Sequence, residues 1–294
     1  MRRISAADRL FDFGVYTFLI LVLLIVLYPL YFVLIASFSD PMAVMGGRVL
    51  VAPVAPTLDA YRLVFRNSQV WNGYRNTILY TLSGTTLNLL LSIAAAYPLS
   101  RRGLKGRSFV MGMLVVTMFF SGGLIPTYLV IRTLGLPNTF AVMILPEALS
   151  VYNVMIMRTF FMHTIPYELE EAAYVDGATH LRTLRSIVLP LSKPILAVMV
   201  LYYAIAHWNS YFNALIYLKD QWRYPLQLVL RTLLIQAQAS EESFADVSGT
   251  FNRVMLGETM KYALIIVASI PVLCLYPMLQ KYFVQGVMIG SVKG

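Results

Sequence analysis

Apolar positions in this chain gather in long uncharged runs: Phe13 to Ser39, Thr77 to Ser100, Ser108 to Ile131, Ile195 to Leu218 and Tyr262 to Gln280. A further run, Thr133 to Met157, is interrupted only by Glu147. Each is as long as the roughly 17 to 25 residues a helix needs to cross a bilayer. The pattern predicts an all-α membrane protein with six transmembrane helices, at about 13–38, 77–100, 108–131, 134–158, 195–218 and 262–280. An even number of crossings puts both termini on one side. Between the runs, the connection from Asp40 to Asn76 is punctuated by Pro41, Pro53 and Pro56 and reads as irregular or short-stranded. The connection at 219–261 has a polar tip from Gln236 to Ser248, and a short tail follows at 281–294. With no soluble-domain-sized insertion and no internal repeat, residues 1–294 are expected to form one transmembrane domain.

Composition agrees with lipid as the main solvent, since 59% of residues are hydrophobic and only 13% charged. The net charge of +9 would suggest nucleic acid for a soluble protein, but here the cations flank apolar runs, where they anchor orientation at headgroups. The densest group, Arg101, Arg102, Lys105 and Arg107, sits in one short connection with no acid beside it, which assigns that connection and both termini to the cytoplasm. Arg2, Arg3 and Arg9 precede the first run as in a signal peptide. The run is too long for one and lacks a small-x-small cleavage site, so it reads as a retained helix. The single cysteine, Cys274, excludes an internal disulfide. Pro29, Pro98, Pro126 after Gly122 and Gly123, Pro146, Pro271 and Pro277 fall inside runs and predict kinks whose freed carbonyls face protein.

The cytoplasmic connection at 163–194 carries the most chemistry. Pro166 suits the first turn of a helix, and Glu168, Glu170 and Glu171 put negative charge at the positive end of its dipole. Ala172 and Ala173 make a surface that another surface can approach closely, and Asp176-Gly177 ends the helix because glycine accepts the left-handed conformation. A second helical stretch follows from Ala178 through Leu181, Leu184 and Val188 to Leu189-Pro190, and Pro194 opens the next span. Read alone, this is an interfacial helix-turn-helix.

The spacing Glu171-Ala172-Ala173, Gly177, Ile187, Leu189-Pro190 resembles, at all seven positions, the EAA signature of binding-protein-dependent ABC importer permeases. The ending Gln280 to Gly286, closing on Val292-Lys293-Gly294, and the stretch Trp208 to Phe212 are similar to the smaller maltose-type permease subunit of the carbohydrate-uptake class. The overall pattern looks closer to the subset linked to complex or acidic oligosaccharides, such as alginate or pectin fragments. The resemblance implies the type I ABC importer permease fold, with the alanine-rich helix as a coupling helix. It also implies a second homologous permease subunit, two cytoplasmic ATPase subunits, an extracytoplasmic solute-binding protein and an oligosaccharide cargo, in a bacterial cytoplasmic membrane. ATP and Mg would belong to the ATPase subunits, and no cofactor, metal site or catalytic residue is expected in this chain, which has no G-x-x-x-x-G-K-[ST] sequence.

Two other classes fit the sequence less well. A membrane enzyme lacks support because His163, His180 and His207 are too far apart for a local metal motif and Cys274 has no nearby base. A secondary transporter would place ionisable groups at mid-membrane, and only Glu147 qualifies. A permease for a non-sugar solute is the alternative within the family. Tyr152, Asn153, Trp208, Asn209 and Asn213 are the candidates for a substrate path. On a continuous fifth helix, Tyr202, Ala206, Asn209 and Asn213 would share one face and His207 and Ser210 the next. Hydrogen bonding between subunits is the alternative role for these polar groups.

Overall fold

The computed structural model describes residues 6–243, 260–274 and 277. The expected polar tip beyond Ser243 and the tail at 281–294 lie outside the described residues. Among these the fold is all-helical, with no strand. Two compact units are present, one of residues up to 68 with 230–243 and 260–270, the other of 69–229 with 271–274.

The first unit contains α1 (Ala6–Ser37), α2 (Pro41–Met45) and α3 (Asp59–Arg66). The irregular or short-stranded expectation for this connection is corrected by α2 and α3, and both have local causes. Asp40 caps α2, its Oδ2 accepting from the Ala43 N–H at 3.3 Å, and Pro41 fits the first helical position, where no N–H is needed. In α3, Ala60 and Val64 are buried while Asp59 and Arg62 pair at 3.0 Å on the outer side. The intervening chain packs on α1: Tyr28 and Tyr31 donate to the carbonyls of Leu50 and Val51 at 3.3 and 2.5 Å. Most of α1 otherwise exposes Phe, Leu, Ile and Val, a surface for lipid or protein rather than water.

The second unit is built on α4 (Ser68–Ser100), followed by α5 (Arg107–Phe119), α6 (Leu124–Thr133) and α7 (Val151–Thr164). Next come α8 (Tyr167–Val175), α9 (His180–Thr183), α10 (Leu189–Leu191), α11 (Lys193–Trp208) and α12 (Phe212–Tyr217). The chain returns to the first unit along α13 (Leu226–Ser243), and α14 (Met260–Cys274) is the described part of the last run. One core joins Ala96 and Tyr97 of α4 to Met157 and Phe161 of α7 and to Ile195 and Met199 of α11. Another joins Tyr80 and Ile131 to Val142, Ala214 and Tyr217. Helices surrounded by lipid gain little from the hydrophobic effect, so polar contacts add to packing. Ser92 Oγ and Tyr203 OH, buried and 2.6 Å apart, tie α4 to α11.

Three expected spans are not continuous helices. The run 108–131 divides into α5 and α6, which meet at 111°. Gly123 there takes φ of +85°, a conformation that a side chain would resist. In 134–158 only the part from Val151 is α-helical. Gly135 and Asn138 have positive φ, a 3₁₀ turn spans Ala141–Met143, and Pro146 cannot donate within a helix. The run 195–218 breaks between α11 and α12 at Asn209–Tyr211 without any proline, where Asn and Ser side chains compete for backbone hydrogen bonds. The shared face of Asn209 and Asn213 therefore does not follow from helix periodicity. Among the described residues α1 and α4 are long and apolar enough to cross a membrane alone, and up to four crossings result if each bent pair counts as one.

Candidate functional site

Helix α8 begins after Pro166, whose ψ of 134° stands outside the helix, and Glu168 and Glu170 occupy its first turn. Its end has the two bonds of a Schellman motif: Ala178 N–H to Ala173 O at 2.8 Å and Gly177 N–H to Tyr174 O at 3.0 Å. Gly177, at φ of +75°, supplies the left-handed turn. Thr179 then caps α9 by accepting from the Arg182 N–H at 3.4 Å. The next turn, Leu184–Val188, is a π-helix in which Leu189 N–H reaches back to Leu184 O. Pro190 lacks an N–H and its ring crowds the preceding turn, which a wider turn relieves.

The helix has two distinct faces. Glu170 and Ala173 are buried, whereas Glu168, Glu171, Ala172 and Val175 line up at i, i+3, i+4 and i+7 on the outside, with Val175 88% exposed. Gly177 and Pro190 are exposed, and Ile187 and Leu189 are half-buried.

Glu170, 1% exposed, forms an ion pair with Arg101 just beyond α4. Arg101 also donates from Nε to Ser100 Oγ at 2.9 Å and lies 4.8 Å from the centre of the Tyr97 ring. Burial pushes the Arg101 guanidinium below its ordinary pKa, opposed by the neighbouring tyrosines Tyr97, Tyr174 and Tyr167. Tyr174 OH and His180 Nδ1 close the turn at 2.6 Å. In the sequence Arg101 stands out as an orienting charge and Glu170 as a dipole charge, and nothing local announces that they meet. Glu170 lies three residues before Ala173, so the two share the buried face of α8.

A second polar cluster sits at the break between α11 and α12. Asn88 of α4 donates from Nδ2 to the Glu147 backbone carbonyl at 2.7 Å, so its Oδ1 is left to accept. His207 Nε2, 3.0 Å from that Oδ1, is therefore the protonated ring nitrogen. Asn213 donates from Nδ2 to Glu147 Oε1 at 3.0 Å, which brings Glu147 into the same chain of bonds. Gly84 makes room for the imidazole, because a Cβ there would stand 2.3 Å from His207 Nε2. Of the sequence candidates, Asn213 joins the cluster directly, Asn209 is exposed and accepts from Gln227 at 3.5 Å, and Trp208 is buried with its ring edge-on to Tyr74 at 6.2 Å. Tyr152, exposed, and Asn153, buried, start α7 outside this chain of bonds. Asn88, Gly84 and His207 as partners were not foreseen. Among the described residues no group of three or more His, Cys, Asp or Glu is placed to hold a metal.

Residues 2–289 match the family described as binding-protein-dependent transport system inner membrane component. The chain is 39% identical to the polygalacturonan/rhamnogalacturonan transport system permease protein YtcP of Bacillus subtilis, over 98% of this chain and 99% of that protein. It is 38% identical to protein LplC of the same organism, over 99% of this chain and 97% of that one. A solved structure of a bacterial ABC transporter involved in the import of the acidic polysaccharide alginate has a chain that superposes with a TM-score of 0.86. That chain is 33% identical, and the match covers 96% of this chain and 100% of that one. With nearly its whole length matched and its helical architecture shared, this chain belongs to the family of binding-protein-dependent transport system inner membrane components.

Proposed function

We propose that this ABC importer permease subunit passes an acidic oligosaccharide inward, and that α8 is the helix through which ATP hydrolysis on two separate cytoplasmic ATPase subunits drives alternating access. The observation that carries the coupling role is the division of α8 into a pinned inner face and a bare outer one. A helix fixed to the bundle by a buried ion pair moves with the bundle, while Glu171, Ala172 and Val175 remain free to dock. Ala173, Gly177, Ile187, Leu189 and Pro190 shape the support behind that surface. A second homologous permease subunit and an extracytoplasmic binding protein complete the assembly. Six crossings with both termini in the cytoplasm fit the cation group from Arg101 to Arg107.

The acidic character of the cargo is inferred from two relatives, a polygalacturonan/rhamnogalacturonan transport permease and a transporter involved in alginate import. The path for it runs past the helix break, where Asn209 and Asn213 offer amide donors and acceptors that suit sugar hydroxyls, and Tyr152, Asn153 and Trp208 are further candidates to line it. The test is reconstitution of the complete complex with its binding protein. Uptake of oligogalacturonate or alginate fragments should need both ATP and the binding protein. Uptake driven by an ion gradient without ATP would overturn the coupling, and a neutral sugar as the ligand co-purified with the binding protein would overturn the cargo.

A further inference from the structure

Two neighbouring cavities lie where the end of α4 meets α8 and the segment after it. The larger, about 790 Å³, is mainly apolar and is lined by Pro98, Leu181 and Leu184, with Tyr97 and Tyr174 among its aromatic residues. The smaller, about 330 Å³, is polar, and Ser100, Arg107, His163 and Glu168 contribute to it. Arg101, Arg102 and Tyr167 line both. At this junction the Arg102 guanidinium lies 5.4 Å from the centre of the Tyr167 ring, and Arg101 Nη2 is buried without a hydrogen-bond partner. The carboxylates do not cancel the charge: with Arg101 committed to Glu170, Arg102 and Arg107 stand against Glu168 alone in the smaller cavity.

An apolar chamber joined to an arginine-lined one by shared arginines has the chemistry of an amphiphile with an anionic head. A free inorganic anion would use only the smaller chamber. We infer that this is a binding site for an anionic phospholipid, its phosphate at Arg102 and Arg107 and its first acyl carbons against Pro98, Leu181 and Leu184. Leu181, 74% exposed, is an apolar side chain left at the mouth for an acyl chain to cover. The inference rests on the proposed topology, which puts this end of α4 at the boundary between hydrocarbon and cytoplasm. A basic pocket at that depth is where an anionic headgroup is held. Because α8 borders both cavities, a bound lipid would brace the helix that meets the ATPase.

The test uses the whole transport complex in phosphatidylcholine vesicles, with and without phosphatidylglycerol. Binding-protein-stimulated ATP hydrolysis is measured, and native mass spectrometry reads the lipid retained. Arg102 is exposed and outside the Glu170 ion pair, so Arg102→Gln removes charge without exposing a buried partner. Phosphatidylglycerol should raise stimulated hydrolysis of the wild-type complex and remain bound to it. In Arg102→Gln the fraction needed for half the effect should rise about fivefold, the worth of one cation at an anionic surface. An unchanged phosphatidylglycerol dependence and unchanged lipid retention in the variant would overturn the site. Equal stimulation by inorganic phosphate in pure phosphatidylcholine would overturn the lipid in favour of a free anion. Normal stimulation in every lipid, with no phosphatidylglycerol retained, would sink the lipid site while leaving the proposed function standing. Loss of stimulation in all lipids, with phosphatidylglycerol still retained, would do the reverse.

Discussion

Replacing Glu170 by Ala removes one half of an ion pair and leaves the mostly buried Arg101 with its charge uncompensated. Breaking such a pair from one side costs about 3 to 5 kcal/mol, most of it the desolvation of the orphaned ion. That is a large part of the roughly 5 to 15 kcal/mol that holds a typical domain together. The cost should nonetheless fall locally, because Glu170 and Arg101 link only the α8 turn to the end of α4. At 1.4 kcal/mol per factor of ten, even the lower figure multiplies the open population of this hairpin by about a hundred. Trypsin reads that population at Arg182 and Arg185, since cleavage tracks the open state when reclosing is fast. Glu170→Ala should be cut about a hundredfold faster than wild type there. The double variant Glu170→Leu with Arg101→Met, which leaves no buried charge, should recover most of the protection. A single variant cut at the wild-type rate, or a double variant cut as fast as the single one, would show that α8 is not pinned through this pair.

Gly177→Val should insert normally yet recover less ATPase in pull-downs from solubilised membranes. No atom lies within 4 Å of the Cβ it would add, so the penalty of about 1 to 2 kcal/mol is the left-handed backbone alone. Gly84→Ala should lower thermal stability of the complex by about 1 to 3 kcal/mol by driving its Cβ into the His207 ring, and His207→Ala in the same chain should restore much of it. Cysteines at Asn209 and Asn213, in a Cys274→Ala background, should react with a small water-soluble thiol reagent, and nucleotide trapping should change the rate. Inertness of both in resting and trapped complexes would remove the helix break from the substrate path.

The parts of the fold legible in the sequence were those fixed by local chemistry. The Pro-Tyr-Glu start of α8 and its Asp-Gly stop are set by capping and by one left-handed residue, and both stand within a residue of where they were expected. Run lengths were less informative about continuity. An uncharged stretch reports the free energy of transfer to lipid, whereas a helix also requires every N–H to find its carbonyl four residues back. Gly122-Gly123 and Pro146 hinted at two of the breaks. The third, at Asn209–Tyr211, has only two short polar side chains to announce it. Contacts distant in sequence were illegible for a different reason: Arg101 with Glu170, and Asn88 with His207, meet through packing that no local pattern encodes.

The three helix breaks bear on how the subunit reaches its working state. Each lies inside an apolar run and releases peptide groups from the regular ladder. A peptide group left unbonded in hydrocarbon costs several kcal/mol, so non-helical backbone at that depth is tolerated only beside protein or water. A solitary copy would have to bear that cost wherever its breaks met acyl chains. The same irregularity that would suit the breaks to the proposed sugar path thus makes the orphan subunit poorly solvated by its own membrane. Its biogenesis should therefore depend on the partner permease arriving, and expression alone should yield a protein that is turned over rapidly by membrane proteolysis.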